Sequence, residues 1–152
     1  MATQRPTLTA DPDSLREARD AVDRFVAGLQ AGIDGADAQT YNAEFADDVM
    51  WGSPYGATVV GYDALHAIHR TMFDSGVAVA GPGSRYETVH VTAPTRDVAI
   101  AHVRRVALNE DGEQISIDDP SVFSEMAMYV LVRLNDNWWL AAGQNTPIRP
   151  KP

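Results

Sequence analysis

The sequence predicts an α+β domain in which helices pack on one face of an antiparallel sheet. Helical spacing of apolar residues dominates the first half of the chain, and alternation with a period of two dominates from residue 85 onward. Helices first and strands afterwards favour helices segregated on one sheet face. The length of 152 residues fits one domain. We expect this domain at residues 11–147, with flexible tails at 1–10 and 148–152.

The first two predicted helices follow the N-terminal tail. A long helix runs from Asp11 to about Ile33, with Pro12 suited to its first turn and apolar residues recurring on one face. A shorter helix, capped by Asp37, is predicted to reach about Phe45. A brief extended piece follows at residues 49–51.

The third predicted helix follows Gly61 and ends at Gly76. At about 100° per residue its apolar arc consists of Leu65, Ile68, Met72 and Phe73. His69 falls inside this arc and is expected to point inward, whereas His66 lies at its edge.

Four strands are predicted after residue 84, with short turns favouring an antiparallel meander. They read "RYETVHVTA", "DVAIAHVRRVALNE", "SVFSEMAMYVLVRLN" and "NWWLAAGQNT". The third is apolar on both faces, alternating Met126 and Met128 with Ala127 and Tyr129. Because helices cover one face only, we expect the outer face to pack against a second copy, as a homodimer. The alternative is a strongly bent sheet that closes on itself.

Composition excludes several classes of partner and site. Twelve basic and twenty-one acidic side chains give a net charge of −9, which disfavours nucleic acid and anionic membranes. The chain has no cysteine, so disulfides and thiolate sites are excluded. No segment resembles a signal peptide or a membrane span. We therefore expect a cytoplasmic protein.

Histidine and arginine supply the candidate polar chemistry. His66 and His69 lie three apart on a helix, but no third ligand follows at motif spacing, so no metal is expected. His69 is either a functional acid or base or a buried histidine with a structural hydrogen bond. His102 and Arg104 share one strand face; Arg104 binds either an internal carboxylate or a ligand oxygen. Arg105 faces the opposite way, toward solvent or a dimer partner.

An uncharged segment, "WGSPYGATVVG", precedes the third helix and is predicted to be strand, turn and strand. Trp51 and Tyr55 offer flat walls for a ligand, or are ordinary core residues. Gln144 and Asn145 are neutral amides that either orient a ligand or cap a strand end. No phosphate-binding or dinucleotide motif is present, so no cofactor is expected.

The run "FADDVMWGSPYGATVVGYDALHAIH" and the order of elements resemble the nuclear transport factor 2-like (SnoaL-like) superfamily. The pattern "W.SP.G....G" and the ending "GQNTP" are similar to the SgcJ/EcaC-type proteins of enediyne and polyketide biosynthesis. The resemblance covers nearly the whole chain. It implies a cone-shaped roll with a curved antiparallel or mixed sheet, about three helices, and a pocket between them.

Ketosteroid isomerases of the same superfamily differ from this chain at two motif positions. Ser53 stands before Pro54 where the isomerases have an acidic base, and Phe25 stands where they have an oxyanion tyrosine. Neither residue can perform the corresponding chemistry, so that mechanism is disfavoured.

The resemblance implies a pocket for a hydrophobic, oxygenated small molecule. It also implies an accessory protein of polyketide-type metabolism or a non-redox cyclase, isomerase or dehydratase; the alternative is a carrier or association module. For an enzyme, His69 would be acid or base and Arg104 or His102 would hold a carbonyl oxygen. The expected ligand contacts are Trp51, Ser53, Tyr55, Met72, Tyr129 and Gln144.

Overall fold

Six strands and three helices form the molecule, as seen in a computed structural model that describes residues 4–76, 83–119 and 121–150. The helices are α1 (Pro12–Asp34), α2 (Ala38–Tyr41) and α3 (Tyr62–Asp74). The strands are β1 (Phe45–Gly52), β2 (Thr58–Val60), β3 (Ser84–Thr95), β4 (Val98–Ala107), β5 (Glu125–Leu134) and β6 (Asn137–Pro147). The predicted α+β class is confirmed.

The strands form one mixed sheet in the order β2-β1-β6-β5-β4-β3. Strands β3 to β6 pair antiparallel in sequence order, which confirms the predicted meander. Strand β1 pairs parallel with β6 and antiparallel with β2. As a result, the C-terminal ends of β1, β4 and β6 and the N-terminal ends of β3 and β5 meet at one end of the sheet. We call this end the mouth.

Helix α1 supplies most of the layer that covers the inner sheet face. Asp11 caps it, accepting a hydrogen bond from the Ser14 backbone N–H at 2.9 Å. Its buried stripe recurs at helical spacing: Ala18, Ala21, Val22, Phe25, Val26, Leu29 and Ile33. Within the described residues no helix is long and apolar enough to cross a membrane.

Aromatic side chains fill the space between the helices and the sheet. The ring of Phe25 meets that of Tyr129 edge-on at 5.2 Å, and Phe45 stacks on Trp51 at 5.6 Å. Gly143 lies between Tyr129 and Trp51, where an added Cβ would come within 3.0 Å of the tyrosine ring. Glycine at this position therefore permits the two large rings to pack on the same strand.

The second helix is shorter than predicted, and the first strand is longer. Helix α2 ends at Tyr41 rather than near Phe45, and β1 begins at Phe45 rather than near residue 49. The physical reason is that Asn42 is 1% exposed and uses its side chain to bond two histidines of α3. The chain then turns, which allows Phe45 to enter the aromatic core from the sheet side.

The outer sheet face carries exposed apolar side chains on four strands. They are Met50 on β1, Val60 on β2, Met128 and Leu134 on β5, and Trp139 on β6. Strand register places Met50 opposite Val60 and Ala142, and Met128 opposite Gln144. No helix of the described chain packs on this face, since α1 and α3 both lie on the other side.

Candidate functional site

The mouth of the cone brings polar inner-face side chains from three neighbouring strands together. Arg105 is at the end of β4, Glu125 at the start of β5, and Asn145 near the end of β6. Arg105 lies directly opposite Glu125, and Asn145 lies opposite Ala127. Because residues two apart on a strand share a face, Glu125 and Asn145 point to the same side as Tyr129.

Arg105 and Glu125 form a buried ion pair. Arg105 Nε lies 3.2 Å from Glu125 Oε1, and the two side chains are 16% and 8% exposed. Burial raises the pKa of Glu125, and the adjacent guanidinium opposes this. The carboxylate in turn raises the pKa of Arg105 against the effect of burial. The pair therefore supplies one positive and one negative charge to the interior.

Three buried tyrosines are close enough to this pair for its charges to affect their pKa values. The Tyr41 and Tyr86 oxygens are 3.0 Å apart in a hydrogen bond. Burial raises the pKa of Tyr41 to about 12, and it raises the pKa values of Tyr86 and Tyr129 well above the usual range. All three phenols therefore stay neutral at pH 7 and can donate a hydrogen bond.

Four buried side-chain polar atoms have no hydrogen-bond partner among the described residues. Three of them, Tyr129 Oη, Asn145 Oδ1 and Arg105 Nε, belong to inner-face residues of β5, β6 and β4, and the fourth, Arg133 Nη2, is toward the other end of β5. The Arg105 Nε–H is close enough to Glu125 for charge pairing but is not aimed for a hydrogen bond. An unsatisfied buried polar group costs about 1–3 kcal/mol, so three together require an explanation.

His69 lies deeper in the same interior and is held by Asn42. Its Nδ1 donates to Asn42 Oδ1 at 2.7 Å, while the Asn42 amide nitrogen donates to His66 Nδ1 at 2.9 Å. In this arrangement His69 Nε2 carries the lone pair. His66 in turn stacks on Tyr62 at 5.3 Å. One buried amide thus fixes both imidazoles.

The His69 ring stands among aromatic rings. It meets Trp51 at 5.4 Å and Tyr41 at 5.1 Å, both edge to face. Burial lowers the pKa of His69 to about 4, with a further lowering from His66. His69 is therefore a neutral imidazole at pH 7, so it cannot serve as a cationic proton donor there.

Two aromatic side chains from different loops cover the Arg105 end of the mouth. Phe123 lies over the Arg105 guanidinium at 5.7 Å, a cation–π contact. Tyr55, from the turn between β1 and β2, lies against Phe123 with ring centroids 6.5 Å apart. The aromatic contacts on this side of Arg105 therefore come from surface loops.

The predicted site residues divide between the two sheet faces. His69, Trp51 and Tyr129 are buried together inside. Arg104 and His102 lie on the outer face, where Arg104 pairs with Glu87 at 2.6 Å and His102 is exposed. One predicted alternative for Arg104 was an internal carboxylate. Arg104 does pair with a carboxylate, Glu87, but on the outer face rather than in the interior.

The predicted orientation of Arg105 toward solvent or a partner is wrong. Strand β4 has apolar residues on both faces, so the alternation of residues along the strand did not show which face was the inner one. Arg105 lies on the same face of β4 as a row of small buried residues. They are Ala99, Ala101 and Val103. Helix α1 packs on that row, which places Arg105 inside and Arg104 outside.

Four further predicted ligand contacts do not belong to the buried group around His69. They are Tyr55, Met72, Ser53 and Gln144. Tyr55 is 83% exposed, and Met72 is 37% exposed on α3. The prediction that Ile68 and Met72 belong to the inward-facing arc of α3 was wrong, because the buried residues of this helix are Leu65, His69 and Phe73. Ser53 Oγ accepts the Tyr55 and Ala57 backbone N–H groups and so stabilises the turn.

Gln144 is on the outer face, beside Gly52. A Cβ at Gly52 would collide with the Gln144 side chain, whose amide nitrogen donates to the Ser53 carbonyl at 3.4 Å. Its neighbour Asn145 points inward instead. The two amides considered together in the sequence therefore have different roles.

Sequence reasoning overlooked Glu125, Tyr41 and Tyr86. Glu125 follows a long acidic loop, which hides its register with Arg105. Its position opposite Arg105 becomes visible only when the β4–β5 pairing is known. The two tyrosines come from α2 and β3, and nothing in their spacing connects them.

Two of the surface cavities in the described part of the chain lie along α1. A groove of about 620 Å³ runs between α1 and the start of β3, and its lining includes Gln30, Arg85, Leu108 and Tyr86. A smaller cavity of about 260 Å³ lies near Arg133 and Trp138. Among the described residues, no three His, Cys, Asp or Glu side chains converge on a metal site.

No protein-family model matches the sequence, and no curated protein matches it significantly. Solved structures do match its fold. A domain of unknown function with a cystatin-like fold from Nostoc punctiforme PCC 73102 has a TM-score of 0.70 at 17% identity, over 87% of this chain and 78% of that one. A ketosteroid isomerase-like protein from Erwinia carotovora atroseptica SCRI1043 has a TM-score of 0.66 at 16% identity, over 92% and 100%.

A putative scytalone dehydratase from Novosphingobium aromaticivorans DSM 12444 has a TM-score of 0.65 at 13% identity, over 91% of this chain and 89% of that one. At these identities the comparison shows a shared fold. The chain therefore has the cone-shaped α+β architecture called cystatin-like or nuclear transport factor 2-like, as the sequence predicted.

Proposed function

We propose that this protein binds a hydrophobic, oxygenated small molecule at the mouth of the cone. The observation that carries the proposal is the group of buried polar atoms without partners: Arg105 Nε, Tyr129 Oη and Asn145 Oδ1. They lie on adjacent strands and point to the same interior. A ligand that pairs with them would remove the cost of leaving them unsatisfied.

The polarity of these atoms describes the ligand. Arg105 and Tyr129 present N–H and O–H donors, which match a carbonyl or ether oxygen. Asn145 Oδ1 is an acceptor and matches a hydroxyl. The surroundings are aromatic: Phe25 and Trp51 lie 5.2 and 6.0 Å from the Tyr129 ring, and Phe123 lies over Arg105. A hydroxylated carbonyl compound with an apolar ring fits both features.

Such compounds are typical of polyketide-type metabolism. The sequence resemblance to SgcJ/EcaC-type proteins supports this class of ligand, and so do folds shared with isomerase-like and dehydratase-like proteins. Because Phe123 lies against the Arg105 guanidinium, we expect this loop side chain to move when a ligand pairs with Arg105. Loops are the part of a fold in which such movement costs least.

We favour a carrier or binding protein over a proton-transfer enzyme. His69 is neutral at pH 7 and its Nδ1–H is committed to Asn42. Phe25 is in the core, and Ser53 Oγ is occupied by turn N–H groups. Phe25 and Ser53 stand at the two compared motif positions and therefore lack the acid–base and hydrogen-bonding groups that an isomerase of this fold would use.

Replacing Tyr129 by Phe tests the proposal, because it removes one unpartnered oxygen and little else. We expect Tyr129→Phe to stabilise the free protein by about 1 kcal/mol, since a buried unsatisfied hydroxyl is lost. The same change should weaken binding of 4-hydroxyacetophenone about tenfold, by loss of one hydrogen bond from a buried site. Thermal unfolding and isothermal titration calorimetry measure the two effects.

Tyr41→Phe is the matched control, because the Tyr41 hydroxyl has a partner in Tyr86. It should destabilise the fold and leave binding nearly unchanged. Absence of interior binding by the wild-type protein, mapped by NMR shifts of the Asn145 side chain, would contradict the proposed function. Destabilisation by Tyr129→Phe would show that its hydroxyl is already satisfied.

A further inference from the structure

We propose that Glu125 makes the mouth selective for uncharged ligands, acting as a specificity residue through its pairing with Arg105. This inference rests on the proposed function and concerns the charge of the ligand. An arginine with a free N–H on a buried surface ordinarily favours carboxylates. Here a carboxylate of the protein itself already lies 3.2 Å from that nitrogen.

The charges of the Arg105–Glu125 pair cancel each other. Arg105 contributes one positive charge and Glu125 one negative charge. Tyr41 on α2, Tyr86 on β3 and Tyr129 on β5 all face this pair as neutral phenols, and His69 on α3 is a neutral imidazole. A neutral ligand leaves this balance intact.

An anionic ligand would upset the balance. To reach Arg105 Nε, a carboxylate would come within a few ångströms of Glu125, and repulsion between like charges is strong where water is excluded. Approach is also disfavoured at long range by the net charge of −9. A ketone or hydroxyl oxygen accepts from Arg105 without adding charge.

The contrast with the outer face shows why burial matters. Arg104 and Glu87 form a similar pair, but Arg104 is 40% exposed and Glu87 is 27% exposed. Solvent screens that pair, so its charge has little effect on a ligand. Because Arg104 is the neighbour of Arg105 on β4, this exposed pair provides a matched control.

The test compares two probes of nearly equal shape at pH 7, 4-hydroxyacetophenone and 4-hydroxybenzoate. In the wild-type protein we expect the benzoate to bind at least about tenfold more weakly than the ketone. In Glu125→Gln the benzoate should gain about tenfold or more, because Arg105 loses its internal counter-ion. Ketone affinity should change by less than about threefold, since its hydrogen bonds are retained.

Glu87→Gln removes the exposed partner of Arg104 and should leave both affinities unchanged. If Glu125→Gln fails to fold, the double variant Arg105→Met with Glu125→Gln restores neutrality and should still reject the benzoate. Equal binding of both probes to the wild-type protein would overturn the charge selection while the proposed function stands. So would a Glu125→Gln variant with unchanged preference. Binding of neither probe would overturn the proposed function, and this inference with it.

Discussion

One buried asparagine determines the chemical state of two histidines. Asn42 accepts from His69 and donates to His66, and it is itself 1% exposed. A buried amide with both ends satisfied has little freedom to rotate, so the tautomer of each imidazole is fixed. His69 is therefore a neutral, buried imidazole at pH 7 whose Nδ1–H is held by Asn42.

This neutrality gives stability a specific dependence on pH. Burial lowers the pKa of His69 from 6.5 to about 4, so the unfolded chain takes up its proton first as the pH falls. The contribution of His69 to the free energy of unfolding is fully present above pH 6.5 and is lost as the pH falls toward 4. It amounts to up to about 3 kcal/mol. We expect His69→Gln to flatten the fall in unfolding free energy between these pH values.

Urea denaturation at a series of pH values measures the effect. His102→Gln, which removes an exposed histidine from the outer face, is the control. If the wild-type and His69→Gln profiles run parallel between pH 6.5 and 4, His69 is not buried as a neutral group.

At the level of elements, α1 protects the free edge of the sheet. Strand β3 is the last strand on its side, so its outward backbone groups lack a neighbouring strand. The Gln30 side chain on α1 takes the place of the missing neighbouring strand. Its amide nitrogen donates to the Ser84 carbonyl at 3.0 Å, and its oxygen accepts from the Tyr86 N–H at 2.9 Å. Near the C-terminal end of β3, the Ala10 N–H donates to the Ala93 carbonyl at 2.7 Å.

Gln30→Ala should therefore expose the start of β3. We expect a loss of about 1 kcal/mol in unfolding free energy, because water partly replaces the two hydrogen bonds. Hydrogen exchange at the Tyr86 amide should accelerate more than exchange in the centre of the sheet. Gln39→Ala, on the exposed side of α2, is a control for loss of a glutamine. Unchanged exchange at Tyr86 would show that the edge is protected in another way.

At the scale of the whole molecule, the outer sheet face has no helix of the described chain packed on it. Exposed apolar side chains from four strands share it, including Met50, Met128 and Trp139. Soluble proteins rarely leave a contiguous apolar face in water. We propose, as the apolar alternation of β5 suggested, that a second copy covers this face.

Met128→Glu places a charge in the middle of that face. We expect the wild-type protein to elute with twice the chain mass of 16.5 kDa in size-exclusion chromatography with light scattering, and the variant to elute as a monomer. Ile68→Glu, at a 43% exposed position on α3, should leave the dimer intact. A monomeric wild-type protein at high concentration would contradict the assignment.

Much of the architecture was predictable because local patterns dictate it. Apolar spacing defined α1 and α3, and alternation defined β3 to β6. The strand, turn and strand at residues 51–60 were also correctly predicted. The end of α2 was not, because it depends on a hydrogen bond between Asn42 and histidines more than twenty residues away.

The sequence by itself determined the fold class, the order of elements, the acidic charge and the inward position of His69, since all of these follow from composition and short-range periodicity. Tertiary structure alone decided which arginine enters the interior. Arg104 and Arg105 are neighbours on a strand with apolar residues on both sides, and only the packing of α1 selects the inner face. The pairing of Arg105 with Glu125 also requires strand register across a long loop. Sites assembled from distant strands depend on such register, which no local pattern encodes.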